Sequence, residues 1–269
     1  DNVQVGRPPL LEPLVVPAVA HRGGVVDQRV EPHVDDARRI KRQRLLGKHR
    51  RLGRLAHPRE RVREPGDDER VSQTRAVVEK VDWPCEVLRN YSDVNLGCRN
   101  RVSSGLDWVF AQVEEAIILE DDCLPDQSFF PFCCELLERY RNDNRIMHIS
   151  GNNFQQGVSR TPYSYYFSKY PHIWGWATWR RAWNFYDGEM KRWLEFKQGN
   201  IFKMTCRSQK EIQYWESLID RAYDNTIDTW DLVWLFSVWV QSGLAILPAS
   251  NLVSNIGFGL RSTHTNEVN

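Results

Sequence analysis

The chain has 269 residues, enough for one large α/β domain or two small ones. Its 36 basic and 35 acidic residues leave a net charge of +1, which excludes recognition of nucleic acid or of an anionic membrane by bulk charge. Hydrophobic residues at 41% suffice for a packed core, but the longest apolar run, Leu232–Val240, is far shorter than the roughly 20 residues of a bilayer span.

The composition divides the chain. Residues 1–82 contain no aromatic residue, Met or Cys, and residues 1–75 are rich in Arg and Pro with only Lys41 and Lys48 as lysines. Such a segment has little to bury, so residues 1–71 are expected to be disordered, or to be a GC-rich gene translated out of frame. Residues 72–269 carry normal globular composition and are expected to form the folded domain, incomplete at both ends. The chain starts at Asp1 without Met, which fits a fragment, and its first residues lack the layout of a signal peptide. The six cysteines, Cys85, Cys98, Cys123, Cys133, Cys134 and Cys206, form no CxxC pair. That pattern fits reduced thiols, and hence a cytoplasmic protein or one peripheral at the inner membrane face.

Within the second part, Thr74–Val81 reads as the end of a helix, Cys85–Arg89 as a short strand and Asn90–Gly97 as a polar turn. Cys98–Gln112 is helical, with Val102, Leu106, Val109 and Phe110 on one side. Ala116–Leu119 is continuously apolar and suits a strand of a parallel sheet buried on both faces. Asp126 is placed to cap a helix whose face is Phe129, Phe132, Cys133, Leu136, Leu137 and Tyr140. Ile146–Ser150 and Tyr163–Ser168 are strands; Ile173–Trp183 holds Trp174, Trp176, Trp179 and Trp183. Gln209–Tyr223 and Asp231–Ser242 are helices, and Leu244–Leu247 is a strand ended by Pro248. This alternation predicts an α/β fold with a mixed, mostly parallel sheet flanked by helices and a crevice at the strand ends.

Glu120, Asp121 and Asp122 follow the apolar Ala116–Leu119 strand without a spacer. Adjacent carboxylates repel one another unless a cation neutralises them, and hard ions such as Mg²⁺ or Mn²⁺ take oxygen ligands and bridge to phosphates. Asn95, Gly97 and Arg101 upstream suit a turn plus a basic group for a diphosphate or a nucleotide base, or simply a solvated face. Asp231 opens an apolar helix and reads either as an N-terminal helix carboxylate or as a general base for an acceptor hydroxyl. The tryptophan cluster is either core or a platform for sugar rings, with Gly175 permitting close backbone approach. Asn152 and Asn153 just past a strand end suit substrate contact, whereas His148 within that strand reads as a core histidine. His264, in a glycine-flanked polar loop, is a candidate metal or phosphate ligand.

Together the stretches NLGCRNRVSSGLDWVF, AIILEDDCLPDQSFF, HISGNNF, IWGWATWRRAW, DTWDLVW and SNIGFGLRSTHT resemble bacterial GT-A-fold glycosyltransferases, the nucleotide-diphospho-sugar transferases also described as hemolytic-protein-like. Their order is also similar to that of the N-acetylglucosaminyltransferase I group. The resemblance implies a GT-A-like fold, a UDP-sugar donor, a glycan or other hydroxyl acceptor, and inverting transfer. It implies Mn²⁺ or Mg²⁺ chiefly at Asp122, beside the loop of the candidate ligand His264, and Asp231 of the Trp230-Asp231 pair as catalytic base. Glu120, Asp121, Asn95, Gly97 and Arg101 would surround the donor. Asn152, Asn153, Trp174, Gly175, Trp176 and Trp230 would meet substrate. The hydrophobic first strand of such enzymes has no evident counterpart in residues 1–71. Two other readings stay open: a Mg²⁺-dependent phosphohydrolase using the same carboxylates, and an inactive sugar-nucleotide- or glycan-binding protein.

Overall fold

A computed structural model describes residues 66–81, 84–158, 161–199, 202 and 206–257. Helix α1 (Asp67–Val78) begins before the expected boundary at residue 72. The rest of the Arg- and Pro-rich segment, and His264, lie outside the described residues. Cys85–Arg89, expected as a strand, forms no regular element.

Helix α2 (Gly97–Phe110) leads into β1 (Glu115–Ile118), a turn and β2 (Cys123–Pro125). Helix α3 (Phe129–Arg139) and β3 (Ile146–Ser150) follow, then β4 (Tyr165–Ser168), β5 (Trp176–Trp179) and the single turn α4 (Arg180–Trp183). Helices α5 (Trp193–Gln198), α6 (Gln209–Tyr223) and α7 (Asp231–Val240) precede β6 (Leu244–Pro248) and β7 (Val253–Asn255).

The main sheet has strand order β1-β5-β3-β6-β4, and β2 pairs with β7 in a separate antiparallel ribbon. The fold is mixed α/β, but the expectation of a mostly parallel sheet is corrected. Among the described residues only β3 and β6 pair in parallel; β1 with β5, β5 with β3 and β6 with β4 are antiparallel. The cause is β5. It runs against β1 and β3 and separates them, although those two point the same way.

Both faces of the sheet are covered, as the continuous apolar runs demand. Ala116 and Ile118 of β1 face a cluster with Val102, Leu106 and Val109 of α2 and Trp234 and Val238 of α7. Ile117, the residue between them, faces Phe129, Cys133, Leu136 and Leu137 of α3. A third cluster packs α5 and α6 against the far side of α7. Helix α6 starts with an N-cap: Ser208 Oγ accepts the Glu211 N–H at 3.2 Å, while Glu211 Oε2 accepts the Arg207 N–H at 2.7 Å, one residue before the position of a closed capping box. The Asp126 cap is corrected by two positions. Ser128 precedes α3, and Asp126 Oδ1 accepts the Ser128 N–H in a turn leading to it. The six cysteines are unpaired. Among the described residues no helix is long and apolar enough to cross a membrane.

Candidate active site

The end of β1 delivers the acidic triplet into a turn. Glu120 O accepts the Cys123 N–H at 3.0 Å, and Asp122 O accepts the Ile256 N–H at 2.8 Å. The ribbon of β2 and β7 thus clamps the turn from the C-terminal side. Gly257 packs so closely that a Cβ there would sit 2.5 Å from Asp122 Oδ2.

The three acids have different environments. Asp121 is exposed, and Glu120 and Asp122 are half-buried. Burial, reinforced by the neighbouring Asp122, Asp231 and Asp121, pushes the Glu120 carboxyl up to about 8. The Trp230 indole N–H donates to this carboxyl and opposes the rise. Glu120 Oε1 is buried with no hydrogen-bond partner among the described residues. Burial and Asp122 likewise raise Asp121. Among the described residues no three His, Cys, Asp or Glu side chains are arranged to hold a metal ion.

Asp231, the first residue of α7, joins this group. It accepts a hydrogen bond from the Thr229 hydroxyl, which fixes its orientation. Asp231 also acts on Cys98, whose thiol is driven up to about 12 by burial and then by Glu120, Asp228 and Asp231. The N-terminus of α2 therefore lies within the acidic cluster.

That N-terminus is already occupied. Asp228 Oδ2 accepts from Cys98 N at 2.9 Å and Asp228 Oδ1 from Arg99 N at 3.0 Å. Gly97, at φ 75°, lets the carboxylate in; a Cβ there would collide with it. Asn95 Oδ1 accepts the Gly97 N–H at 2.9 Å and shapes the same turn. Arg101 donates to Asn90 Oδ1 at 2.9 Å and to the Asn90 carbonyl. Asn95, Gly97 and Arg101, read as contacts for a diphosphate, are thus engaged in building the turn.

The tryptophans divide into core and rim. Trp176 stacks between His148, at 4.9 Å, and Trp230, at 5.4 Å, with all three buried. Trp176 and Trp230 therefore expose no ring face for a sugar, and Trp230 serves instead to hold Glu120. His148, pushed down to about 3 by burial, is the neutral core histidine expected. Its Nδ1 accepts from Trp234 Nε1 at 3.1 Å, so its Nε2 carries the hydrogen donated to His172 O at 2.9 Å.

Trp174 is different. It lines a cavity of about 150 Å³ together with Asn152, Phe154, His172, Trp215, Leu232, Leu235 and Asp231. Phe154 is exposed at the rim and meets the Trp174 ring edge-on at 4.9 Å. Asn152 is fully buried; its Oδ1 accepts from Trp174 N at 3.2 Å, while Nδ2 has no partner among the described residues. Asn153 instead braces the loop, donating to Pro248 O at 2.6 Å and accepting from Gln155 N. Gly175 is buried where β5 leaves the loop; its carbonyl accepts from Gly151 N at 2.6 Å, and a Cβ would strike Val253. Its close approach is to Val253 of β7.

The structure thus joins Glu120, Asp122, Trp230 and Asp231 in one place and Asn152, Trp174 and Asp231 in another. The sequence reading missed Asp228, His172, Phe154 and Trp215. Asp228 could have been noticed as the first acid of DTWD, and His172 and Phe154 as neighbours of residues already chosen. Trp215, on α6, carried no local signal. In comparison with known proteins, the chain matches no protein-family model and no curated protein.

Proposed function

We propose that the chain is a metal-dependent glycosyltransferase of GT-A-like fold. It moves a sugar from a nucleotide-diphosphate sugar, with UDP as nucleotide, to a hydroxyl acceptor with inversion. One observation carries the reading: Asp231 borders both the acidic cluster after β1 and the aromatic cavity. A base shared by an anion-repelling, cation-seeking cluster and an apolar ring-sized cavity suits transfer between a diphosphate donor and a neutral acceptor.

The donor set fits a divalent cation. Carboxylate oxygens are hard ligands, the charges acting on Glu120 are all negative, and Glu120 Oε1 is an orphaned acceptor. Asp122, with Asp121, would hold Mn²⁺ or Mg²⁺, which supplies charge neutralisation to the leaving diphosphate. Trp230 fixes Glu120 through its indole N–H, and Thr229 fixes Asp231. The acceptor oxygen bonds to the anomeric carbon while the bond from that carbon to the diphosphate breaks. The hydroxyl proton passes to Asp231, and the electron pair leaves on the nucleoside diphosphate.

The test is calorimetric titration of UDP and UDP-sugars, with and without Mn²⁺, into the wild type and Asp122→Asn. We expect binding only with Mn²⁺, weakened at least tenfold by the substitution. Metal-independent binding, or none to the wild type, overturns the reading. Release of phosphate from a simple phosphoester without any acceptor would favour the hydrolase instead.

A further inference from the structure

We infer that the cavity between the loop after β3 and the start of α7 is the acceptor subsite, and that it takes one neutral hexopyranose ring whose oxygen accepts from Asn152. This rests on the glycosyl-transfer reading and adds the acceptor's chemical class. The first ground is size. A cavity of about 150 Å³ is of the order needed to seat one six-membered ring.

The second ground is the buried amide. Asn152 is 0% exposed and its Nδ2 has no partner among the described residues. A buried donor left unpaired is costly, and Asn152 lies on the cavity wall, so a ligand oxygen that reaches this amide relieves the cost. Its Oδ1 is fixed by Trp174 N at 3.2 Å, which sets the orientation of the amide. The third ground is charge. Among the described residues Asp231 is the one carboxylate on the cavity wall. It repels phosphates and carboxylates while accepting from a hydroxyl, so the occupant is an uncharged polyol. Trp174 and Phe154 at the mouth give the apolar faces on which ring C–H groups pack.

An aromatic cavity with a carboxylate also attracts organic cations. A cation, however, leaves the Asn152 donor unsatisfied, and this separates the two occupants.

The test is saturation-transfer NMR on the full chain with methyl glycosides of glucose, galactose, mannose and N-acetylglucosamine, and with tetramethylammonium as the cationic probe. Asn152→Asp retains the acceptor for Trp174 N, replaces the donor by a second acceptor and adds an ionisable group, so Asn152→Leu, which removes the donor without a charge, is measured beside it. Leu232→Trp fills the cavity from a half-buried position and keeps the inference testable should a substitution at Asn152 unfold the loop. At least one glycoside should bind, tenfold more weakly to Asn152→Asp and Asn152→Leu and not at all to Leu232→Trp. UDP with Mn²⁺ should bind all the variants as it binds wild type. No glycoside binding, binding indifferent to all the variants, or stronger binding of tetramethylammonium overturns the inference while UDP binding still stands. Loss of UDP binding by the wild type instead removes the reading beneath it.

Discussion

Replacing Glu120 by Gln should stabilise the metal-free protein, and the pH dependence of the gain is fixed by the site. The folded carboxyl titrates at about 8 against 4.5 for a free one. Between those values the unfolded chain has released a proton that the folded chain still holds, so wild-type stability falls as pH rises through this window. Full conversion at about 1.4 kcal/mol per pH unit would give about 5 kcal/mol. Glu120 is half-buried and retains part of its hydration, so about 2 kcal/mol is the expected gain at pH 8. Glutamine cannot ionise and its carbonyl still accepts from Trp230. Urea unfolding followed by circular dichroism, with chelator present, should show the variant more stable at pH 8, with the difference shrinking towards pH 4.5. An unchanged or negative difference at pH 8 would refute the argument that Glu120 is a crowded, desolvated acid.

Asp228→Ala removes both acceptors from the start of α2 and strands two amide donors. It should cost about 2 kcal/mol and lower the melting temperature by several degrees, with Asp228→Asn losing roughly half as much. A melt within about half a kcal/mol of wild type would show that water replaces the cap. Asp231→Asn should lower kcat for sugar transfer by about two to four orders of magnitude while calorimetry finds UDP–Mn²⁺ affinity unchanged. Equal activity of wild type and variant would remove Asp231 as the base.

Much of the architecture was legible because burial imposes periodicity. The face Phe129, Cys133, Leu136 and Leu137 of α3 packs as its spacing required, and Gln209–Tyr223 is helical over its whole expected length. The orientation of β5 was not legible. Its WATW stretch is buried on both faces and would read identically in a parallel strand. Within the site, local motifs located the acids but could not say which were partnered. Trp230 and Trp174 look equivalent as residue types; one is core and binds Glu120, the other forms a cavity wall. Asp228 was passed over because its partners at Cys98 and Arg99 are some 130 residues away. Only tertiary structure connects them.

That separation has a temporal consequence. During synthesis α2 and the acidic turn leave the ribosome long before Asp228 or Ile256 exist. The first helix turn and the Asp122 carbonyl must wait for them. A nascent chain therefore carries the acids exposed and unorganised through most of its elongation. It acquires the assembled cluster only when the β7 strand closes on β2. Assembly of the acidic turn is in this sense a late checkpoint: a chain that stalls before Ile256 lacks the N–H that the Asp122 carbonyl accepts.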